Sequence, residues 1–291
     1  MRYSLRQLEV FLAVARSESV SRASKELAMS QSAVSSSLAD LEAQLDAPLF
    51  DRIGKKLRLS DSGRSLRPRV EGLFQQARDL DDAFGAGDAS SLRLGATLTV
   101  GNHLVPRLMA SYLREAPAST ITLDIANTEE IARRVANFEI DLGLIEGELS
   151  REELRVTEWR EDELVVFCAP GHPLAKKRTL HDAELRSSPW VLRERGSGTR
   201  QTFDRAVAGL LPELRVALEL TQTEAIKSAV AAGLGLGCLS RIALADSFAL
   251  GTLIPLSVPR RNFKRRLYLV QHRKKFVGAA LRRFLAICEE K

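Results

Sequence analysis

Residues 30–45 read Ser30-Gln31-Ser32-Ala33-Val34-Ser35-Ser36-Ser37-Leu38-Ala39-Asp40-Leu41-Glu42-Ala43-Gln44-Leu45, and this stretch decides the class of the N-terminal region. At about 100° per residue, Val34, Leu38, Leu41 and Leu45 share one face, while Ser32, Ser35, Ser36 and Ala39 take the flanks and the opposite side. The pattern predicts an amphipathic helix capped by Ser30, with an outer face of short hydroxyls. Upstream, a short helix begins near Val20 and Ser21, carries Ala23, Leu27 and Ala28 inward, and stops at Met29-Ser30. Before that, Leu5, Leu8, Leu12 and Ala15, with Phe11 alongside, form an apolar stripe ending at about Ser17. Two short helices across a tight turn, the second amphipathic, outline a helix-turn-helix. Downstream, Leu49 to Leu59 alternates apolar and basic residues around Gly54, which predicts a two-stranded wing.

Beyond Asp61 the period changes. Leu66, Val70, Leu73, Ala77, Leu80 and Phe84 are spaced 4, 3, 4, 3 and 4, a heptad seam that predicts a self-pairing helix over residues 61–84. The alternative is an ordinary amphipathic helix lying on a neighbouring domain. Gly85-Ala86-Gly87-Asp88-Ala89-Ser90-Ser91 then reads as a flexible joint. After it, strands at 92–96, 121–126 and 141–145 alternate with helices at 103–115 and 129–137, the rhythm of βαβ crossovers on a parallel sheet. A second set follows. It has strands at 164–169, 216–220 and 236–239, helices after Thr199 and from Thr223 to Ala232, and then a strand at 266–270 and a helix from Phe276 to Cys288.

Composition bounds the possibilities. The chain has 291 residues, 45% apolar and 27% charged, with a mean hydropathy of -0.10. These values exclude a disordered chain, collagen or a coiled-coil fibre and predict about two or three domains. Forty-three basic against 37 acidic residues give a net charge of +6. That excess does not sit in the helix-turn-helix: residues 1–60 hold 9 basic and 7 acidic side chains, whereas residues 260–291 hold 11 and 2. The C-terminal excess is read as a solvated face on a strand and helix, or as a contact to bent DNA or an acidic partner surface. Cys168, Cys238 and Cys288 show neither a disulfide framework nor a CxxC pair. The N-terminus lacks signal-peptide character and no run approaches about 20 apolar residues, so a cytoplasmic protein with no membrane contact is expected.

The chemistry suggested by these residues is binding. Short hydroxyls on the residue 30–45 helix can approach base edges or phosphates closely, and Arg22, Arg52, Lys55 and Lys56 would anchor it to a phosphate backbone. In the C-terminal two hundred residues, three predicted helix starts carry hydroxyls after strands. They are Thr97-Leu98-Thr99-Val100-Gly101-Asn102, Arg195-Gly196-Ser197-Gly198-Thr199-Arg200, and Thr221-Gln222-Thr223-Glu224. Helix starts favour anions, and open α/β sheets bind ligands at strand ends. The alternative is that these hydroxyls are N-caps, each worth about 1 kcal/mol. Glu146, at a strand end, is read either as an acceptor for a protonated ligand or water, or as the partner of an arginine. The run Gly233-Leu234-Gly235-Leu236-Gly237 follows a helix, so it is not a dinucleotide fingerprint. Ser197 lies in Gly-Ser-Gly and not GxSxG, and no His or Cys pair has metal spacing. No metal, no cofactor and no catalytic set is expected.

Leu5-Arg6-Gln7-Leu8 with Phe11-Leu12-Ala13-Val14-Ala15, Ser30-Gln31-Ser32-Ala33-Val34-Ser35, Leu41-Glu42 and Pro48-Leu49-Phe50-Asp51-Arg52 together resemble the LysR-type transcriptional regulators. The resemblance extends over the full length. It implies a winged helix-turn-helix over 1–60 and a linker helix and hinge over 61–90. It further implies a two-lobed α/β effector domain over 91–291 of periplasmic-binding-protein-like fold, with lobes 91–163 plus 268–291 and 164–267. Gln31, Ser32, Ser35 and Ser36, with Arg22, Arg52 and Lys55, would then contact double-stranded promoter DNA, although the family commonly carries Pro where Ser32 stands. Leu66, Val70, Leu73 and Leu80 would join a homodimer, with a homotetramer and RNA polymerase as further partners. The effector site would gather Thr97, Thr99, Asn102, Glu146, Arg195, Ser197, Gly198, Thr199 and Glu224. The stretches Leu192 to Arg200 and Thr223 to Lys227 look most like the sulfur- and carbon-assimilation branch, which makes a small oxyanion such as sulfite the candidate effector. The rival readings are a two-lobed solute-binding protein, disfavoured by the helix-turn-helix, and an anion-handling enzyme, which lacks a catalytic set.

Overall fold

The structure, a computed structural model, describes residues 2–53, 56–84 and 91–290, and the chain divides into a first unit, Met1–Asp81 with Asn137–Glu139, and a larger second unit formed by the remainder. In the first, helices α1 (Leu5–Ser17), α2 (Val20–Glu26) and α3 (Gln31–Leu45) are each capped by a serine. Ser4, Ser19 and Ser30 accept from the amides of Gln7, Arg22 and Ala33, and Gln7 returns the bond in a capping box. Leu8, Phe11, Leu12, Val34, Leu38 and Leu41 close one core. Strands β1 (Phe50–Ile53) and β2 (Lys56–Leu59) pair antiparallel as the wing. The wing's base is fixed to α3 because Glu42 Oε1 accepts the amides of Leu49 and Phe50 at 2.6 and 3.2 Å. Phe50 also packs its ring on Phe11, with centroids 5.6 Å apart.

Helix α4 (Asp61–Phe84) corrects part of the heptad reading. Val70 is buried in the core of its own winged helix, with Leu66, Leu73 and Phe74 packed against the same cluster. The first half of the seam therefore covers this unit's own apolar face. An amphipathic stripe read from sequence carries no label saying which surface it will meet. The side chain of Leu80 and the joint at 85–90 lie outside the described residues.

The C-terminal unit begins with β3 (Ser91–Ala96), α5 (Leu98–His103), α6 (Val105–Glu115), β4 (Thr120–Ile125), α7 (Thr128–Ala136) and β5 (Leu142–Glu146). It continues through β6 (Leu154–Cys168), α8 (Asp182–Ser187), β7 (Pro189–Arg193), α9 (Gly198–Ala206), β8 (Arg215–Leu220) and α10 (Thr223–Ala231). Elements β9 (Leu236–Ser240), α11 (Arg241–Ala249), β10 (Ile254–Leu256), β11 (Lys264–His272) and α12 (Ala279–Glu289) complete it.

The sheet runs β4-β3-β5-β11-β6-β9-β7-β8, with β10 added on β6. Strands β3, β4 and β5 are mutually parallel, as are β7, β8 and β9. The parallel pairing expected from the βαβ rhythm holds within each lobe and gives way in the middle, where β6 and β11 run antiparallel to each other and to their outer neighbours β9 and β5. Strand β6 pairs with β11 up to Glu163 and with β9 from Leu164, so one 15-residue strand serves both lobes. Each lobe buries a layer on both faces of its sheet. Tyr112 and Phe284 oppose Ile131 and Val135 in the first lobe, and Trp190 and Phe203 oppose Ile226 and Leu244 in the second.

The first predicted helix of this unit starts too late. Thr99 to Asn102 are not a loop before a helix at His103. They belong to α5, which α6 follows after a break at Leu104. A threonine, a valine and a glycine in so short a segment gave no helical signal of their own. The segment is held by burial of Val100 and by the close approach of Gly101 to Ile125, where a Cβ would lie 2.9 Å from that side chain.

Candidate functional site

The outer face of α3 presents Gln31, Ser32, Ser35 and Ser36 to solvent, opposite buried Val34, Leu38 and Leu41. Ser30 Oγ, besides capping α3, lies 2.9 Å from Ser32 Oγ, and Gln31 Nε2 donates to Ser21 Oγ at 3.5 Å. These bonds tie the start of α3 to the start of α2, where Arg22 is exposed. Lys55 and the side chain of Arg52 lie outside the described residues. The turn between α2 and α3 places Ala28 at a φ of 53°, a left-handed conformation that a β-carbon disfavours.

The second candidate site lies where the C-terminal ends of β3 and β5 meet the start of α9. Glu146, the last residue of β5, is its centre and is 1% exposed. Its Oε1 accepts the Thr99 amide at 2.9 Å, and its Oε2 accepts the Thr199 hydroxyl at 2.9 Å and Arg265 Nη1 at 2.8 Å. The Thr97 hydroxyl accepts the Glu146 amide at 3.2 Å, and the Thr128 hydroxyl donates to the Glu146 carbonyl at 2.7 Å. Arg265 also donates from Nε to Asp162 Oδ2 at 2.7 Å, while Asp162 Oδ1 accepts the Ser240 hydroxyl at 2.8 Å. Burial alone would raise the Glu146 carboxyl. The Arg265 guanidinium, the bonds from Thr99 and Thr199, and the nearby Arg193 charge overcome it and hold the group at about 2. Glu146 is thus an anion at neutral pH with both oxygens occupied. Of its two sequence readings, the arginine partner is the one the geometry supplies.

The two lobes touch directly at this point. A Cβ on Gly198 would sit 2.1 Å from the Glu146 carbonyl oxygen, and one on Gly147 would sit 2.8 Å from the Gly198 Cα. Gly198 therefore permits a backbone contact and does not present a binding group.

The nine residues expected at an effector site separate into three sets. Thr97, Thr99, Glu146 and Thr199 meet in the buried knot. Arg195, Ser197 and Gly198 line an adjoining cavity of about 730 Å3, together with Thr128 and Glu129. Asn102 is exposed on α5, and Glu224 is exposed and turned to Lys227 Nζ at 3.0 Å, so the structure brings neither into the knot or that cavity. Their nearness to helix starts in sequence did not fix the direction of their side chains. The capping alternative also fails at these starts. Thr97, Ser197 and Gln222 occupy the N-cap positions of α5, α9 and α10 without bonding their own helices through the side chain. Sequence reading missed Asp162, Ser240 and above all Arg265, which lay in a run of basic residues that looked solvated.

That reading of the C-terminal charge is corrected for three of its cations, whereas Arg260, Lys264, Arg266, Arg273, Lys274, Arg282 and Arg283 are exposed. The Arg265 and Lys275 side chains are 1% and 4% exposed, the first between Glu146 and Asp162 and the second 2.9 Å from Asp141. Arg261 pairs with Asp182 at 2.7 Å. These cations neutralise buried or half-buried acids of the same unit and are not a free basic surface. Cys168, Cys238 and Cys288 are free and buried, and burial pushes their thiols up, to about 11 for Cys168 and about 12 for Cys288. Among the described residues no His, Cys, Asp or Glu cluster could hold a metal, and no helix is long and apolar enough to cross a membrane.

The chain matches two families, "Bacterial regulatory helix-turn-helix protein, lysR family" over residues 5–64 and "LysR substrate binding domain" over residues 85–291. The uncharacterized HTH-type transcriptional regulator YeiE of Escherichia coli K12 is 44% identical over 289 residues, covering 99% of this chain and 98% of that protein. The CcmR regulatory domain of Synechocystis PCC6803, solved in complex with 2-PG, shares 30% identity at a TM-score of 0.64. That likeness covers 69% of this chain and 96% of that one. Full-length CbnR, solved with its target DNA, covers 99% of both chains at a TM-score of 0.69 and 20% identity, a likeness of fold. The chain belongs to the LysR family of bacterial helix-turn-helix transcriptional regulators, with an effector-binding domain and no enzymatic role.

Proposed function

We propose that this regulator binds double-stranded promoter DNA through Gln31, Ser32, Ser35 and Ser36 of α3, with Arg22 and the wing residues Arg52 and Lys55 on the phosphates. In this reading a small anion such as sulfite, bound between the lobes beside Thr97, Thr99, Ser197 and Thr199, modulates that binding. The observation that carries the effector reading is the idle N-cap. Ser197 is 3% exposed, stands at the start of α9 on the wall of the adjoining cavity and does not cap its helix, so its hydroxyl is left for an oxyanion. Glu146 does not oppose such a ligand as a bare charge, because Arg265 is held against it. The 2-PG complex of the CcmR domain supports a small-ligand role for this kind of domain.

The remainder of the architecture serves the DNA. Helix α4 pairs two copies through the part of its seam not used by the winged helix, and the effector domains join dimers into a tetramer. A dimer presents two reading heads to two half-sites. An anion that prefers one lobe arrangement shifts their relation and so DNA bending and contact with RNA polymerase. The protein is expected to act in the cytoplasm, without cofactor.

Footprinting on the chain's own upstream region tests this, with sulfite, sulfate, 2-PG and small carboxylates added singly. Sulfite is expected to alter the protected region. The Ser35→Ala, Arg52→Ala double variant is expected to bind at least about tenfold more weakly with its fold intact. Unchanged affinity of that variant would remove the assigned DNA face. A footprint insensitive to sulfite but altered by another anion would reassign the effector and leave the DNA face standing.

A further inference from the structure

Leu27-Ala28-Met29 separate the end of α2 at Glu26 from the Ser30 cap of α3. The Met29 amide reaches back to the Ser24 carbonyl at 2.9 Å and the Ala28 amide to the Lys25 carbonyl at 3.3 Å. This Schellman closure puts Ala28 in the left-handed region, at a φ of 53°. The position favours glycine, because a β-carbon crowds the following carbonyl oxygen there. The helical spacing predicts the Ala28 methyl inward with Ala23 and Leu27, but it is exposed, so burial contributes nothing against the strain.

A bond from outside the turn holds it. Arg6, in the first turn of α1, donates from Nη2 to the Leu27 carbonyl at 2.9 Å. Its Nη1 is anchored at 2.6 Å on Oε2 of Glu9, one turn further along α1. The planar guanidinium thus spans from α1 to the residue before Ala28, a fork that a flexible ammonium does not reproduce. Arg16 makes another tie between α1 and α2, at 2.6 Å to Glu26 Oε1, but that bond ends on a side chain and leaves the backbone of the turn untouched. The two parts of the proposed DNA face stand on either side of this turn: exposed Arg22 on α2, and Gln31, Ser32, Ser35 and Ser36 on α3. Phosphates held from α2 and bases read from α3 engage together only at one angle between the helices.

We infer that Arg6 is a positioning residue for DNA reading: by holding the Leu27 carbonyl it keeps Ala28 left-handed and so fixes the angle between α2 and α3. The inference rests on the DNA face proposed above. Arg6 acts through the turn and touches no DNA. It is needed because residue 28 carries a β-carbon, so Ala28→Gly makes it dispensable.

Fluorescence anisotropy of the full chain tests this, well below the unfolding midpoint and over a range of salt. The probes are the duplex that the parent selects from a random-sequence pool and an unrelated duplex of equal length. Arg6→Gln is expected to lower the preference for the selected duplex about fivefold, with affinity for the unrelated duplex within about twofold of the parent, since non-specific binding is electrostatic and indifferent to the angle. Adding Ala28→Gly should restore the preference to within about twofold of the parent. Arg16→Gln, which removes the same charge from the same helix, should change neither affinity. A preference kept in Arg6→Gln, no restoration by Ala28→Gly, or an equal loss in Arg16→Gln would overturn the inference. So would a salt slope lower by about one in Arg6→Gln, the mark of a direct phosphate contact. Should Arg6→Gln fold poorly, Glu9→Gln, which leaves the arginine without its anchor, is expected to lower the preference about twofold, and no change there overturns the inference. A Ser35→Ala, Arg52→Ala variant that binds both duplexes as the parent does removes the DNA face itself and this inference with it. A weakened double variant beside an unaffected Arg6→Gln removes the role of Arg6 alone.

Discussion

The two halves of this protein spend the same side chains differently. In the winged helix, Ser4, Ser19 and Ser30 each bond the amide of the third residue of their own helix. In the effector domain Ser240 likewise caps α11 with its side chain, but where the lobes meet Thr97 and Ser197 hold the equivalent position and leave their helices uncapped, and Thr97 instead accepts from Glu146, 49 residues away. Local polar bonds make short helices independent of their surroundings, which suits a reading head that must keep one shape. Long-range polar bonds make a site conditional on how the lobes meet, which suits a domain whose arrangement must answer a ligand. The contrast predicts that deletions in the effector domain act through tertiary structure and deletions in the head through one helix.

The largest expected effect is at Arg265. Arg265→Leu leaves Glu146 and Asp162 buried without their shared cation, and a broken buried pair costs about 3–5 kcal/mol. Urea unfolding of the full chain should show the effector-domain transition moved to lower denaturant with the winged-helix transition unmoved. Adding Glu146→Gln and Asp162→Asn should recover much of the loss, since the neutral side chains no longer need the guanidinium. No recovery would mean that Arg265 acts through packing, and the long-range half of the contrast would fail.

A smaller and strictly local effect is expected at Ser30. Ser30→Ala removes the cap of α3 and should cost about 1 kcal/mol. Hydrogen exchange is the right measurement. The first-turn amides of α3 should lose protection by about fivefold, while amides of α9 and β5 keep theirs. Loss spread across both units would show that the cap is not local.

The same contrast explains what could be read from sequence. Helices α1, α2 and α3 announced themselves because apolar spacing and a capping serine lie within one segment, and the α9 loop was visible for its glycines and hydroxyls. Strand β6 from Leu154 to Glu163 was not, because its Arg155, Glu158, Arg160 and Glu161 are strand residues kept half in solvent at the crossover. Helix α5 was obscured by threonine, valine and glycine that only tertiary packing makes helical. Arg265 was the hardest case. Its partners lie 119 and 103 residues away, and nothing in a run of five basic residues marks the one that turns inward. The heptad of α4 was legible as a stripe, but whether Val70 meets a second copy or its own core is decided by the neighbouring surface.

The smallest expected effect on stability is the most informative about function. Ser197→Ala removes a hydroxyl that caps nothing, so the unfolding midpoint should stay within about 0.5 kcal/mol of the parent, in contrast to Ser30→Ala. If the idle cap is held open for an oxyanion, the same substitution removes one donor and lowers sulfite affinity by about 1–2 kcal/mol, roughly five- to thirtyfold. Calorimetric titration reads the affinity and thermal unfolding reads the stability, in one preparation. A stability loss as large as that of Ser30→Ala would show that Ser197 caps α9 in solution, and the comparison between the two halves would collapse. A silent variant, stable and with unchanged anion affinity, would leave the long-range knot around Glu146 intact but move the anion away from the start of α9.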